Sequence, residues 1–437
     1  MKKTRYLIYL LILIVSITCS SRAISSNAVE SSVDVDNLVN EYLLTNYSRI
    51  FFQGADDFTD LSIMDSDLAG KEMFLTAEHH AIKANAQLRI KFLRYFKEKA
   101  NIKYYLAEYP YSMTHFINKY LETGDTKILK EIYRPLKGTY GWNKDDYDFW
   151  TELYEYNQEF AEEEKIQVIG IDIEHQLIEA YRFLVDVLPE QEAPEAIKDI
   201  LARIVLAFDN YKAAHSPQEW RILTKLAGEL HKDIAEKEGI YQDYLGDRFL
   251  GFRLVNQNML YRAEAYEGMH SDEEFNNIRD WMMYCNFQII HDSLPKGKYY
   301  GQWGLNHTFQ SKEKDIKWLA SYLNDVGSFF RNKTISIVYL YDDCGQMQSG
   351  NYAVEEINTM IPQIKKANDF VGGYVTIYRL NEEGSPFFEI PMQCTYTTEM
   401  LEKKVTDFYQ YIVCIKGSEA TEPLNDRVYV TIPDMMI

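Results

Sequence analysis

Residues 73–80, Met-Phe-Leu-Thr-Ala-Glu-His-His, form an apolar run that ends abruptly in one carboxylate and two imidazoles. The apolar residues that follow recur at helical spacing, so the stretch predicts a strand, a tight polar turn and then a helix. In open α/β sheets, ligands bind outside the carboxyl ends of the strands. We therefore expect Glu78, His79 and His80 to lie at the ligand-binding edge of a sheet.

Similar patterns recur along the chain and define the fold class. Strands are predicted at 73–77, 103–107, 166–171, 299–303, 335–341, 374–380 and 409–415, with an edge strand at 387–390. Helices are predicted at 38–51, 81–99, 113–120, 145–164, 275–291, 312–331, 354–367 and 399–408. This alternation predicts an α/β fold with a mainly parallel or mixed central sheet flanked by helices. Residues 185–265 lack strand signals and predict a long all-helical insertion in a single α/β domain spanning 38–437.

The N-terminus has the pattern of an export signal. Three cations within residues 2–5 precede an apolar run at 6–17 that is too short for an ordinary membrane span. This predicts a signal peptide over residues 1–23. We favour Cys19, at the end of a loose lipobox, as a lipidated first residue of the mature protein. Ordinary cleavage after the Ser-Arg-Ala of residues 21–23 and an uncleaved anchor are the alternatives.

The signal peptide and the composition limit location and partners. The Ser-, Val- and Asp-rich residues 24–37 predict a flexible tether, and the protein is expected in the periplasm or as an outer-membrane or cell-surface lipoprotein. The membrane is then a partner only through the lipid anchor. A formal net charge of -20 argues against nucleic-acid binding, because phosphates require Lys and Arg. None of the five cysteines has metal-site spacing.

Four predicted strands end in titratable residues, and parallel strands would bring these ends to one edge. The residues are Glu78 with His80, Glu108, Asp172 and His307. Strand-end carboxylates can simply cap the following helices, which would account for Asp172 and Glu108. Capping does not account for two imidazoles at the same edge. We therefore expect a cleft in which different environments give these groups acid and base roles.

Two chemistries fit these residues. In the first, His80 activates a water molecule while Glu78 or Glu108 orients its ring. His307 then protonates a leaving group or helps to polarise a carbonyl. In the second, His80, His307 and Glu108 bind a divalent metal ion that lowers the pKa of a bound water molecule.

A further set of polar residues precedes the strand at 299–303. Arg279, Met283 and Asn286 fall on one face of the helix predicted at 275–291. Arg279 and Asn286 are candidates to bind a carbonyl or carboxylate, or to hold a catalytic carboxylate in place. The alternative is an ordinary helix surface with one salt bridge.

The order and spacing of these segments resemble the erythromycin esterase-like family. Its superfamily also contains iron- and haem-binding lipoproteins and Wnt-clipping metalloproteases. The resemblance extends from about residue 60 to about residue 310. It rests on the segments 74–80, 107–108, 118–125, 156–157, 168–172, 279–286 and 303–307.

The resemblance implies an α/β fold and hydrolysis of a carboxylic ester, either a lactone or an acyl ester, by a His-activated water molecule. His80 would be the general base, Glu78 and Glu108 its supporting carboxylates, and His307 a second acid or base. The groups implied or predicted to bind or orient the substrate are Arg279, Asn286, Asp172 and His79. The expected substrate is a small-molecule or cell-envelope ester, and no cofactor is expected.

Two alternatives remain open at this stage. The family usually has two residues between the Glu and the His, whereas one residue separates Glu78 from His80. This shorter spacing resembles the metalloprotease and iron-binding branches. The alternatives are therefore a metal-dependent hydrolase or peptidase, and a surface lipoprotein that binds haem or another bulky ligand without chemistry.

Overall fold

The computed structural model describes residues 26–424, except for residues 55, 212–216, 268–270, 396 and 398. The predicted signal peptide over 1–23, with Cys19, lies outside these residues. Within the described residues, no helix combines the length and apolar composition needed to cross a bilayer.

The described chain alternates helices and strands through most of its length, as the sequence predicted. The strands are β1 Tyr47–Ile50, β2 Met73–Glu78, β3 Ile102–Pro110, β4 Gln167–Asp172, β5 Lys298–Gly304, β6 Thr334–Asp342, β7 Cys344–Met347, β8 Val354–Ile357, β9 Val375–Arg379, β10 Pro391–Gln393, β11 Met400–Lys404 and β12 Tyr411–Lys416. The helices are α1 Ser26–Leu43, α2 Lys83–Ala100, α3 Tyr111–Thr123, α4 Thr126–Tyr133, α5 Lys144–Asn157, α6 Leu177–Asp186, α7 Glu195–Tyr211, α8 Pro217–Glu236, α9 Glu238–Leu245, α10 Phe249–Glu267, α11 Asp272–Ser293, α12 Leu319–Leu323 and α13 Pro362–Val371.

The central sheet has eight strands in the order β1-β9-β12-β6-β2-β5-β3-β4 within the described chain. The strands from β12 to β4 run parallel, and β9 is antiparallel to both of its neighbours. Helices cover the sheet, so the α/β class predicted from the sequence is confirmed. In this order β2, β5, β3 and β4 are adjacent, which brings the carboxyl ends of four strands together.

Burial on both faces explains why β2 is a continuous apolar run. Phe74 stacks on Phe96 of α2 at a ring-centroid distance of 4.3 Å, while Met73 and Leu75 pack with Met283 of α11 in a separate cluster. A strand covered on both sides has no solvent face and therefore no need for alternating polar residues. Helix α2 ends at Asn101, whose left-handed conformation (φ 56°) stops the helix before β3.

The helical stretch is also as predicted. Within 185–265, the described residues form α7, α8, α9 and most of α10, together with the end of α6, and contain no strand. These helices pack on one another and on α3 and α6, and their apolar residues belong to the large core cluster. The insertion is thus attached to the side of the sheet that carries β3 and β4.

The N-terminal and C-terminal parts differ from the prediction. Helix α1 occupies most of the expected tether at 24–37, and β1 interrupts the helix predicted over 38–51. Leu43 of α1 is fully buried, and β1 pairs with β9. The predicted helices at 354–367 and 399–408 begin instead with the strands β8 and β11, while the predicted edge strand at 387–390 is a 3-10 turn. Of the helix predicted at 312–331, only the short α12 forms.

Pairing with a partner strand explains the short strands among these differences. β8 is defined by its pairing with β7, and β11 by its pairing with β10. Edge and hairpin strands obtain their hydrogen bonds from partners that local periodicity does not reveal. The residue pattern therefore predicted the central strands correctly and did not predict these short hairpins.

Candidate active site

The strand ends converge as the sequence predicted. Glu78 is the last residue of β2 and lies opposite Gly304 of β5, while Asp172 ends β4. His307 follows β5 in a single 3-10 turn over Leu305–Thr308. Helix α11 crosses this edge and adds Arg279, so side chains from separate parts of the chain form one polar cluster.

Glu78 and His80 form a direct pair. Glu78 Oε1 lies 2.9 Å from His80 Nδ1, and Glu78 Oε2 accepts a hydrogen bond from Gln302 Nε2 at 2.5 Å. Ala81, the next residue, has a left-handed backbone (φ 64°) whose carbonyl accepts from the backbone N–H groups of Met347 and Thr421. This turn fixes the imidazole with Nδ1 towards the carboxylate and leaves Nε2 for other contacts.

The His80 ring is partly open to solvent. Its side chain is 43% exposed, and its covered sides face Glu78, Tyr140 and Gly304. This enclosure opposes protonation, but the hydrogen bond to Glu78 and the charge of Glu108 outweigh it and raise the pKa of His80 to about 9. His80 is therefore mainly an imidazolium at neutral pH, and becomes a base as the pH approaches 9.

Glu108 is held in place by a bulge in β3. The pairing of β3 with β4 shifts register between Ala107 and Pro110. At this point the Tyr109 and Pro110 carbonyls approach β4 so closely that a Cβ on Gly170 would lie 2.5 Å from each oxygen. Only glycine fits that approach, and the bulge turns Glu108 towards the cleft.

Both oxygens of Glu108 have partners. Oε1 accepts from Arg279 Nη2 at 2.8 Å and lies 3.5 Å from His307 Nε2, and Oε2 accepts from the Gly304 backbone N–H at 2.7 Å. Burial would raise the pKa of Glu108, but Arg279, His307 and His80 overcome this effect and lower it to about 2. The carboxylate is therefore ionised and oriented.

His307 is the second imidazole of the cluster. Its Nδ1 lies 2.8 Å from Asp280 Oδ1, which also accepts from the Leu319 backbone N–H at 2.6 Å. Burial disfavours the charged ring, but Asp280 and Glu108 outweigh burial and raise the pKa of His307. Arg279 Nη1 lies 3.1 Å from His307 Nε2 and opposes that rise. The geometry suits a ring that holds a proton and releases it in response to a neighbouring charge.

Gly304 leaves a small opening between these groups. A Cβ atom at this residue would lie 3.3 Å from His80 Nε2, 3.4 Å from His307 Cδ2 and 3.5 Å from Glu108 Oε2. The absent methyl group therefore marks a point that three of the four predicted catalytic side chains approach. That point is one covalent bond from the Gly304 Cα, so it is too close to hold a water molecule, but it shows that an imidazole nitrogen and a carboxylate oxygen face the same side of Gly304, where both can act on one bound molecule.

Asp172 pairs with Arg279. Its Oδ1 accepts from Arg279 Nε at 2.9 Å and its Oδ2 accepts from Arg279 Nη2, which makes a bidentate pair. Burial opposes the charge of Asp172, but Arg279 and then His175 hold its pKa well below the usual range. The Arg279 guanidinium thus connects Asp172, Glu108 and His307, and planar bidentate geometry gives it one orientation.

Two predicted binding residues lie outside the opening. Asn286 is fully buried, and its side chain donates to the Ile171 carbonyl at 2.8 Å, so it fixes β4. The His79 ring packs edge-on against Tyr341 at a centroid distance of 5.7 Å. Burial, and to a smaller extent the charge of His80, lowers the pKa of His79 to about 4. These two side chains stabilise the elements that carry the cluster.

The predicted ligand set does not fit a metal ion well. Among the described residues, no three or more His, Cys, Asp and Glu side chains are arranged to hold a metal. The Arg279 guanidinium is inserted among His307 and Glu108, and a divalent ion at Glu108 would lie close to this fixed positive charge. The chemistry of the donor set therefore favours proton transfer.

Sequence reasoning missed several groups that complete the cluster. Asp280 directly follows Arg279 in the sequence. Gln302 precedes Gly304 by two positions, so both residues lie on the same face of β5. Period-two spacing could have identified Gln302. Tyr140, whose ring centroid lies 6.1 Å from that of His80, comes from a loop with no local signal.

Comparisons with known proteins identify the fold. No protein-family model matches the chain, and no curated protein is significantly similar to it in sequence. A Bacillus cereus protein aligns with a TM-score of 0.67 and 13% identity, over 89% of this chain and 99% of the other. A succinoglycan biosynthesis protein aligns with a TM-score of 0.66 and 12% identity, over 90% and 99%. An erythromycin esterase mutant in its open conformation aligns with a TM-score of 0.61 and 13% identity, over 87% and 98%. At 12–13% identity these likenesses show that the chain shares the fold of these structures.

Proposed function

We propose that the protein hydrolyses a carboxylic ester, with His80 as the base that activates water. The observation that carries this proposal is the opening at Gly304, which His80 Nε2 and Glu108 Oε2 approach to 3.3 and 3.5 Å from an ideal Cβ position. A water molecule bound to His80 Nε2 beside Gly304 would contact an imidazole that has Glu78 behind its other nitrogen. This is the arrangement of a general base with an orienting carboxylate.

The proton transfers balance within the cluster. His80 Nε2 takes a proton from water, and the hydroxide oxygen forms a bond to the ester carbonyl carbon. Arg279 and protonated His307 supply positive charge for the negative oxygen that develops. When the bond to the leaving alkoxide breaks, His307 supplies the proton that makes it an alcohol. The products are a carboxylic acid and an alcohol, and the proton on His80 returns to solvent or to His307.

The fold comparison supports the ester class only coarsely. One matched structure is an erythromycin esterase, and at 13% identity the likeness extends to the fold and not to the substrate. Because the N-terminus predicts export, we favour a lactone or an acyl ester on a cell-envelope compound as substrate. The metal-dependent alternative has less support, since the described cluster lacks a ligand set of the usual kind.

The test is ester hydrolysis by the purified full chain. A panel of p-nitrophenyl acyl esters and lactones is assayed with wild type and with His80→Ala, with and without a chelator. We expect chelator-resistant hydrolysis that His80→Ala abolishes without unfolding the protein. The matched control is His115→Ala, because His115 is also paired with a carboxylate, Asp186 at 2.8 Å, on the surface. Full activity in His80→Ala, or no hydrolysis of any ester by wild type, would contradict the proposal.

A further inference from the structure

A third histidine lies beside the catalytic cluster, on the side of the helical insertion. His175 Nε2 lies 3.1 Å from Asp172 Oδ2, the same oxygen that accepts from Arg279 Nη2. The other ring nitrogen, Nδ1, lies 2.9 Å from the hydroxyl of Tyr266. His175 therefore connects Tyr266, near the end of α10, to the carboxylate that pairs with Arg279.

The insertion holds His175 by its backbone as well. Arg262 of α10 donates from Nε to the His175 carbonyl at 3.1 Å. Its guanidinium lies 4.8 Å from the centroid of the Tyr266 ring and 5.4 Å from that of Trp220 on α8. Helix α10 thus holds both the backbone and the ring of His175, and α8 contacts the Arg262 side chain that takes part.

This contact reaches the protein surface. The Tyr266 and Trp220 side chains are 42% and 38% exposed, whereas Asp172 is only 1% exposed. The contacts of His175 therefore join an exposed aromatic residue of α10 to a buried carboxylate of the cluster.

We propose that His175 is a positioning residue, which with Tyr266 holds Asp172 and through Asp172 fixes the Arg279 guanidinium against Glu108 and His307. Asp172 Oδ1 accepts from Arg279 Nε and from the Ile173 backbone N–H, whereas Oδ2 contacts Arg279 Nη2 and His175 Nε2. Without His175, Oδ2 loses one of its two partners, so the carboxylate and the guanidinium paired with it can shift. The inference rests on the proposed ester hydrolysis, which it deepens by linking the insertion to turnover.

Two substitutions distinguish the contacts made by the two ring nitrogens of His175. The amide nitrogen of Asn lies near the position of Nδ1, so His175→Asn keeps a partner for Tyr266 and loses the contact with Asp172. The amide nitrogen of Gln lies near the position of Nε2, so His175→Gln keeps the hydrogen bond to Asp172. The two variants have similar polarity and differ mainly in which contact survives.

Turnover of an ester that wild type hydrolyses is the first measurement. We expect His175→Asn to lower kcat about 10- to 100-fold with little change in KM, because an outer residue that orients a reacting group acts on the chemical step. His175→Gln should restore most of kcat. The control His115→Asn, which breaks a surface His–Asp contact, should leave kcat unchanged. Wild-type kcat in a folded His175→Asn protein, or equal losses in both His175 variants, would overturn the proposal.

A second measurement does not depend on turnover. NMR titration of ¹⁵N-labelled histidines reports His80 and His307 without substrate. Arg279 opposes the rise of both pKa values, so its displacement in His175→Asn should move both midpoints upward, and His175→Gln should leave them near the wild-type values. Unchanged midpoints in His175→Asn would refute the positioning role. If wild type hydrolyses no ester, the proposed function fails, and this titration alone decides the role of His175.

Discussion

Substitution of Gly304 by alanine tests the reaction geometry with a single methyl group. Gly304 has φ -53° and ψ 142°, a conformation that alanine adopts without strain. The new Cβ would lie 3.3 Å from His80 Nε2 and 3.5 Å from Glu108 Oε2, next to the two groups that we expect to contact the attacking water. The methyl group displaces that water or moves His80 by a few tenths of an ångström.

The expected effect is large on turnover and small on stability. Displacing the attacking water by about 1 Å costs about 100-fold in rate, which corresponds to about 2.7 kcal/mol of transition-state stabilisation. A shift of His80 by a few tenths of an ångström costs less. The predicted contacts of 3.3 to 3.5 Å are at or just inside ordinary van der Waals range. We therefore expect the free energy of unfolding to change by no more than about 1 kcal/mol.

The assay compares kcat/KM and denaturant unfolding for Gly304→Ala, wild type and a control. Gly228→Ala is the matched control, because a Cβ at Gly228 meets nothing within 4 Å and the residue lies in α8. It should raise stability by up to about 1 kcal/mol and leave kcat/KM unchanged. Wild-type kcat/KM in Gly304→Ala would refute the placement of the water, and a matching loss in Gly228→Ala would show that the effect is not local.

The remaining predictions concern protonation and the buried charges. Because the pKa of His80 is about 9, kcat/KM should rise about tenfold per pH unit from pH 7 and level off near pH 9, and a flat profile would contradict the base role. The pKa of His80 is 6.5 when unperturbed and about 9 when folded, so its contribution to stability is complete below pH 6.5 and is lost as the pH rises through 9. The difference in unfolding free energy between wild type and His80→Ala should therefore shrink over that window. Asp280→Asn removes the carboxylate that raises the pKa of His307, so the His307 midpoint in an NMR titration should fall and kcat should drop about 10- to 100-fold. Arg279→Met leaves Glu108 and other buried carboxylates without their cation and should lower the free energy of unfolding by about 3–5 kcal/mol in denaturant titration, whereas an unchanged value would show that these charges have other compensation.

Local sequence was sufficient for the central sheet and for the ends of its strands. The run at 73–77 is apolar at every position except Thr76, because β2 is buried on both faces, and the polar residues Glu78 and His80 mark where burial stops. The same change from apolar to titratable residues located Glu108 and Asp172. Parallel strands end at one edge, so these positions predicted a shared cluster before any contact was known.

Tertiary structure alone decided the pairing within that cluster. The sequence did not show that Asp280 would be the partner of His307, that Gln302 would hold Glu78, or that the Arg279 guanidinium would lie between carboxylates. Each of these contacts joins segments from different elements of the chain. Their energies depend on distance and burial, which residue spacing along the chain does not encode.

Tertiary structure also decided the protonation of the imidazoles. His79 and His80 are neighbours in sequence, yet burial lowers the pKa of one to about 4, and for the other a carboxylate hydrogen bond outweighs desolvation and raises it to about 9. The spacing of apolar residues likewise did not predict the hairpin of β7 and β8, because each strand obtains its hydrogen bonds from the other. The sequence by itself determined which residues meet at the edge of the sheet, since burial patterns are local. The folded structure decided what each residue does there, because electrostatic and hydrogen-bonding partners come from distant parts of the chain.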